Sequence, residues 1–238
     1  MTSPAGTSRA RVAFAMAGGA LFAGSLLYFA WEYLAGFDAP AIAGTGRAAV
    51  TINIALFTVF ALHHSVFARA GLKAAIARAA GPTLERSVYV WIASLLFVGV
   101  CAYWQPVPGH LWQVAAPWSW LLHAVQAGGA AFTLAAARHL DVLELSGVAQ
   151  ATGRPPARSG LDDHGPYGLV RHPIYFAWLL LVWPTPDMNA TRFVFAITST
   201  VYLLVAIPYE ERDLRRTFGE AYSRYSKKVP WRVLPGVY

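Results

Sequence analysis

GPYGLVRHPIYFAWLLLVWPTPDMN, residues 165–189, decides how the chain is read. A Gly-Pro-Tyr turn leads into Arg171 and His172, and eleven largely apolar residues, 173–183, follow before Pro184, Pro186, Asp187 and Asn189. At 1.5 Å per residue that run is about 16 Å long, against a hydrocarbon core of roughly 30 Å. It is too short to cross a membrane alone. It must start inside the protein below the surface or be met by loop that dips in, and non-helical backbone at that depth is tolerated only when buried in protein or lining a cavity. Proline, aspartate and asparagine over 184–189 are turn chemistry. The stretch therefore predicts a helical hairpin, with 193–208 as its second arm.

The rest of the chain agrees with a membrane setting. Of its 238 residues 56% are hydrophobic and 13% charged, about half the charge content of a soluble domain, where roughly 25% is usual; mean hydropathy is +0.42. Further apolar spans are expected at 12–31, 49–68, 87–104 and 117–137. The first follows a basic start, as in a signal peptide, but its 20 apolar residues exceed the usual h-region of roughly 7–15, so an uncleaved span is expected. The expected fold is an all-α integral membrane protein of about six transmembrane helices, including the C-terminal hairpin, plus a cytoplasmic amphipathic helix. Residues 1–137 would be a four-helix scaffold and 138–238 the cofactor-binding and catalytic region, in one structural unit.

The net charge of +7 reflects topology. Of the 19 lysines and arginines, 17 fall on one side of the expected spans and only Arg47 and Arg192 on the other. By the positive-inside rule both termini are then cytoplasmic, and a multi-pass protein of a bacterial inner membrane is expected. A nucleic-acid footprint is excluded by the same distribution. The lone Cys101, inside an apolar run, has no disulfide partner in the chain and is expected to be packing. His63 and His64 are adjacent, so they point in different directions on a helix, and no metal site is expected. Asp141 and Glu144 are expected to cap a helix, and Gly128-Gly129 to permit close helix packing.

The polar chemistry collects in the last third. Pro173 suits the first helical position, where its missing N–H removes no intrahelical bond. The free N–H groups of that turn, with Arg171 and His172, would form a positive nest for a carboxylate or phosphate. Glu210 and Glu211 emerge at the end of the other arm, across an apolar slot. A zwitterion with carboxylate, ammonium or sulfonium, and ribose would suit both ends. The alternative is interfacial anchoring, with Arg171 and His172 snorkelling and the glutamates at a solvated helix start. Beyond Pro208, Leu214, Phe218, Tyr222 and Tyr225 follow i, i+4, i+8 and i+11, so an amphipathic tail helix is expected to lie on a membrane or on the protein.

GPY and RHPIY, followed by EERDLRRTFGEAYSRYSKKVP, resemble the isoprenylcysteine carboxyl methyltransferase superfamily of membrane methyltransferases over residues 164–235. ALHHSVFAR (61–69), LERSVYV (84–90) and HLDVLELSGVAQ (139–150) look like its methanethiol S-methyltransferase branch, close to NnrU-like proteins. The resemblance implies S-adenosyl-L-methionine as cofactor, held by His172, Tyr175 and Glu210 or Glu211, with Arg171 and Tyr225 as further members. It implies methyl transfer to a small thiol such as methanethiol, giving dimethyl sulfide. Carboxyl methylation of an isoprenylated cysteine or another lipophilic acceptor is the near variant. An NADPH-dependent sterol-type reductase and a non-enzymatic NnrU-like protein stand further off. Gly168, where a basic residue often follows GPY, and Trp231-Arg232, after the final Val-Pro, depart from the pattern.

A thiol acceptor must lose its proton, and a cationic neighbour lowers a thiol pKa. Arg69, His64 and His139, all near cytoplasmic span ends, are candidates for that task, and Glu211 is carried as a catalytic as well as a cofactor residue. The implied partners are the small lipophilic thiol and membrane lipid, with no nucleic acid and no obligate protein partner.

Overall fold

The computed structural model describes residues 8–67, 70–155 and 160–238. In chain order its helices are α1 (Arg9–Leu34), α2 (Gly46–Val66), α3 (Ala70–Ala80), α4 (Glu85–Ala102), α5 (Trp118–Ala137), α6 (Val142–Leu145), α7 (Val148–Thr152), α8 (Pro166–Leu169), α9 (Pro173–Val182), α10 (Ala190–Phe218) and α11 (Glu220–Lys228), with strands β1 (His110–Gln113) and β2 (Asp187–Asn189). Five of these helices are long and apolar enough to cross a membrane, and α9 is a shorter apolar helix. The protein is an all-α membrane protein. It divides into two compact units, the first holding α1, the body of α2, α3, α4, α6 and α7, the second β1, α5, α8 to α11 and β2.

In the first unit α1 and α4 lie together because Gly18 leaves room for Trp91: a methyl group on Gly18 would stand 2.8 Å from the indole. The indole N–H donates to Phe14 O at 3.0 Å. Phe29, Tyr33 and Phe97 extend this aromatic seam, and Cys101 is buried as expected. Asn53, fully buried, exchanges two hydrogen bonds with the Gln105 backbone, of 2.9 and 2.7 Å. Asp141 caps α6 by accepting the Leu143 and Glu144 N–H groups, the role its position predicts.

In the second unit α5 packs on α9 through Gly129, where a methyl group would meet Ala177 O and the Leu180 side chain at 3.0 Å. Gly128 meets nothing within 4 Å, so one glycine of the pair serves the packing. Trp178 of α9 and Trp183 just beyond its end donate to Ser199 and Thr200 of α10, both at 3.0 Å. The bend at 184–189 holds more than a turn: β2 pairs antiparallel with β1. Asn189 then caps α10, accepting the Arg192 N–H at 2.9 Å.

Two expectations are corrected. The second arm does not stop at Pro208 but runs on to Phe218 with that proline inside it. The lost hydrogen bond and crowded carbonyl of an interior proline are outweighed by packing, since Ala206, Ile207 and Glu211 around it are buried. The tail is also not one helix. Gly219, at φ +52, separates α10 from α11, and such a conformation favours glycine. The four spaced apolar residues still meet, because Leu214 and Phe218 pack with Leu161 against buried Tyr222, Tyr225 and Val229. The amphipathic face therefore lies on the protein.

Candidate functional site

Glu211 is the centre of the second unit's polar cluster. Its carboxylate is 1% exposed and touches three guanidinium groups: Arg171 Nε at 2.7 Å, and Arg215 and Arg232 at 3.3 Å each. A buried charge persists only when it is paired and hydrogen-bonded, and each member meets that need here. The other side of Arg171, itself 7% exposed, donates to Val229 O and Pro230 O, both at 2.8 Å. Backbone bonds from Arg171 N to Trp231 O and His172 N to Arg232 O, of 3.0 and 2.8 Å, complete a latch between the start of α9 and the segment after α11. Arg232, which departs from the family pattern, is thus part of the lock, and its guanidinium also reaches Tyr238 Oη.

This geometry changes the picture of an anion nest facing carboxylates across a slot. Arg171 and Glu211 are in contact and neutralise one another. Two donors of the first helical turn, the N–H groups of Tyr175 and Phe176, return to His172 O.

Glu210 is the exposed carboxylate of this cluster, its side chain 42% exposed, with Tyr175 and His172 beside it. Tyr175 Oη donates to Glu210 Oε1. The His172 ring stacks on Tyr175, centroids 5.3 Å apart and planes 13° from parallel. Its Nδ1 stands 3.4 Å from Glu210 Oε2 and its Nε2 3.6 Å from Glu211 Oε1. Burial alone would lower the His172 pKa, but hydrogen bonds and charge from Glu210 and Glu211 outweigh it and raise the pKa above 6.5. A carboxylate at the edge of two stacked rings suits a ligand carrying hydroxyls and a positive centre, the first by hydrogen bonding and the second by charge and by attraction to a ring face.

Beside the latch, Tyr225 Oη donates to Tyr167 O at 2.8 Å, and Lys228 Nζ meets Asp163 at 2.7 Å. These tie α11 to the Gly-Pro-Tyr turn. Before that turn His139 Nδ1 stands 2.9 Å from Asp162 Oδ2. A side chain at Gly168 would come within 3.1 Å of Asp163 O, which accounts for the small residue there.

Of the residues singled out from sequence, Arg171, His172, Tyr175, Glu210 and Glu211 meet directly, and Tyr225 joins through the turn. His64 belongs to the first unit, where its Nδ1 lies 2.8 Å from Tyr89 Oη. Arg69 lies outside the described residues. Sequence reading missed Arg215, Arg232 and the His139–Asp162 pairing. Asp162-Asp163-His164 ahead of GPY was the one available signal for the last.

No protein-family model and no solved structure matches the chain. Curated relatives do. Methanethiol S-methyltransferase 2 of Bradyrhizobium diazoefficiens is 36% identical over 189 residues, covering 78% of this chain and 73% of that protein. Methanethiol S-methyltransferase of Mycobacterium tuberculosis is 37% identical over 203 residues, covering 80% and 82%. The protein of the same name from a Pseudomonas species is 36% identical over 207 residues, covering 83% and 80%. Similarity of this extent, over a chain carrying the RHPIY and EERDL motifs in one polar cluster, makes it a member of the methanethiol S-methyltransferase family.

Proposed function

We propose that the protein transfers a methyl group from S-adenosylmethionine to methanethiol, releasing dimethyl sulfide. The observation that carries the donor site is the exposed Glu210 carboxylate at the edge of the stacked Tyr175 and His172 rings; the names of the relatives support the acceptor. The residues fit the donor's chemistry. Glu210 would accept hydrogen bonds from ribose hydroxyls or the ammonium group, and Tyr175 would face a positive centre. The bound donor supplies an electrophilic methyl group on a sulfonium sulfur.

Within this reading His172, Tyr175 and Glu210 touch the donor, while Arg171, Glu211 and Tyr225 hold those three in place. Glu211 is a positioning residue, because three guanidinium groups occupy it. Transfer from a sulfonium to a thiolate removes two opposite charges, so a site poor in water penalises the separated charges more than the transition state. The remaining demand is alignment of sulfur, methyl and nucleophile, which a latched hairpin meets. A small apolar thiol partitions into lipid, so a membrane-embedded enzyme collects it there. The charge distribution supports a bacterial inner membrane with both termini cytoplasmic, and the cluster supports 138–238 as the catalytic region.

The test is headspace analysis of purified protein with S-adenosylmethionine and methanethiol. Dimethyl sulfide is expected. Its absence, with carboxyl methylation of a prenylated cysteine instead, overturns the thiol assignment.

A further inference from the structure

Thiol methylation needs a group to take the thiol proton, and the reading above commits Glu210 to the donor and Glu211 to three guanidinium groups. His139, two residues beyond the end of α5, has the form of one. Its Nδ1 lies 2.9 Å from Asp162 Oδ2, and Asp162 Oδ1 accepts the His164 N–H at 3.0 Å. The hydrogen bond from His139 is the main cause that brings the Asp162 pKa down to about 2, so this carboxylate is ionised and only accepts. The hydrogen of the neutral imidazole is then on Nδ1, and the lone pair on Nε2. That nitrogen faces the α-carbon of Gly165: a methyl group there would stand 2.7 Å from it. Glycine at φ +55 therefore lets the imidazole approach the turn closely, where any side chain would collide with it.

The exposures match this orientation, with the imidazole 26% exposed and Asp162 18%. Tyr167 is the other titratable ring beside His139, centroids 6.0 Å apart; burial and the Asp162 charge push its pKa up to about 12, so it stays neutral. The carbonyl of the same Tyr167 receives Tyr225 Oη, which links this turn to the donor latch. Among the described residues, His164, Asp163 and Lys228 are further charges around the loop.

We propose that His139, oriented by Asp162, is the catalytic base that takes the proton of the acceptor thiol, an assignment that rests on the methyl-transfer reading above. The acceptor S–H bond breaks and its proton passes to Nε2. The thiolate electron pair forms the new S–CH3 bond. The S–CH3 bond of the sulfonium breaks with its pair left on that sulfur, as a neutral thioether. The imidazolium then gives its proton to water. Asp162 is the positioning residue, setting the tautomer.

The experiment measures transfer by His139→Gln and Asp162→Asn, with S-adenosylmethionine binding read separately by calorimetry. For His139→Gln, transfer to methanethiol at pH 7 is expected to fall by about a hundredfold or more, the span of general-base catalysis, with binding of S-adenosylmethionine unchanged. The defect should shrink as pH rises towards the pKa of the acceptor thiol itself, where it ionises unaided, and vanish with a nitrothiophenol acceptor that is already a thiolate at pH 7. Asp162→Asn should show the same acceptor dependence with a smaller loss. Equal losses on methanethiol and nitrothiophenol, or no loss, overturn the assignment of His139. A native protein that binds S-adenosylmethionine but yields no sulfide overturns instead the thiol reading, and the base with it.

Discussion

Among the histidine–carboxylate pairs of the second unit, the one at the mouth of the hairpin and the one that joins His139 to Asp162 before the Gly-Pro-Tyr turn are built in opposite senses. At the mouth the imidazole of His172 is buried and the carboxylate of Glu210 is half exposed. In the loop the carboxylate of Asp162 is the more buried partner and the imidazole of His139 the more open one. On the reading proposed above, the group turned outward is the one that would meet a ligand, and its partner would set charge or tautomer. A pair with its carboxylate outward suits hydroxyls and cations; a pair with its imidazole outward suits a proton. Glu211, next in sequence to Glu210, is the third case: its side chain is 1% exposed and lies among three guanidinium groups, the position of a residue that holds the frame.

The largest test of that contrast separates the adjacent glutamates. Glu211→Ala leaves Arg171 buried without its counter-ion, and breaking a buried pair costs roughly 3–5 kcal/mol. Thermal unfolding in detergent should show a fall in Tm of about 10 °C, at roughly 2–4 °C per kcal/mol for a chain of this size. Glu210→Gln should leave Tm almost unchanged and weaken S-adenosylmethionine binding by about ten- to a hundredfold, the worth of a hydrogen bond to a charged group. Calorimetry on both variants breaks the comparison if the two glutamates lose the same property.

The pairs should also respond at opposite ends of the pH scale. His172 has a folded pKa above its unfolded 6.5, so the stability it contributes is full below pH 6.5 and is lost as pH rises through the folded value. Asp162 has a folded pKa of about 2 against 3.8 unfolded, so its contribution is full above pH 3.8 and is lost as pH falls towards 2. Tm against pH for native protein, His172→Gln and Asp162→Asn should show each variant flattening its own limb. The smallest effect is expected for Lys228→Met. Its bond to Asp163 is short but exposed, and pairs of that kind contribute about 0–1 kcal/mol, so Tm and transfer should scarcely move.

Much of this was legible along the chain. Apolar runs of membrane length, the bend rich in proline and asparagine, and the RHPIY and EERDL spacing are local patterns, and local patterns survive folding. The spacing of Leu214, Phe218, Tyr222 and Tyr225 foretold one cluster, although Gly219 breaks the helix that would have carried it. Continuation of α10 through Pro208 was hidden, because the cost of an interior proline is local while the packing that outweighs it comes from elsewhere in the fold.

Sequence by itself therefore settled the membrane class, the short hairpin arm and the motif residues Arg171, His172, Tyr175, Glu210 and Glu211 of the polar cluster, since hydropathy, turn chemistry and motif spacing are properties of consecutive residues. Which charges face out was decided only by tertiary structure. Arg171 looks like an anion site until Glu211, Val229 and Pro230 are brought to it. His139 looks like the end of a helix until Asp162 reaches its ring. A titratable side chain takes its role from its partner, and these partners lie 40, 58, 59 and 23 residues away.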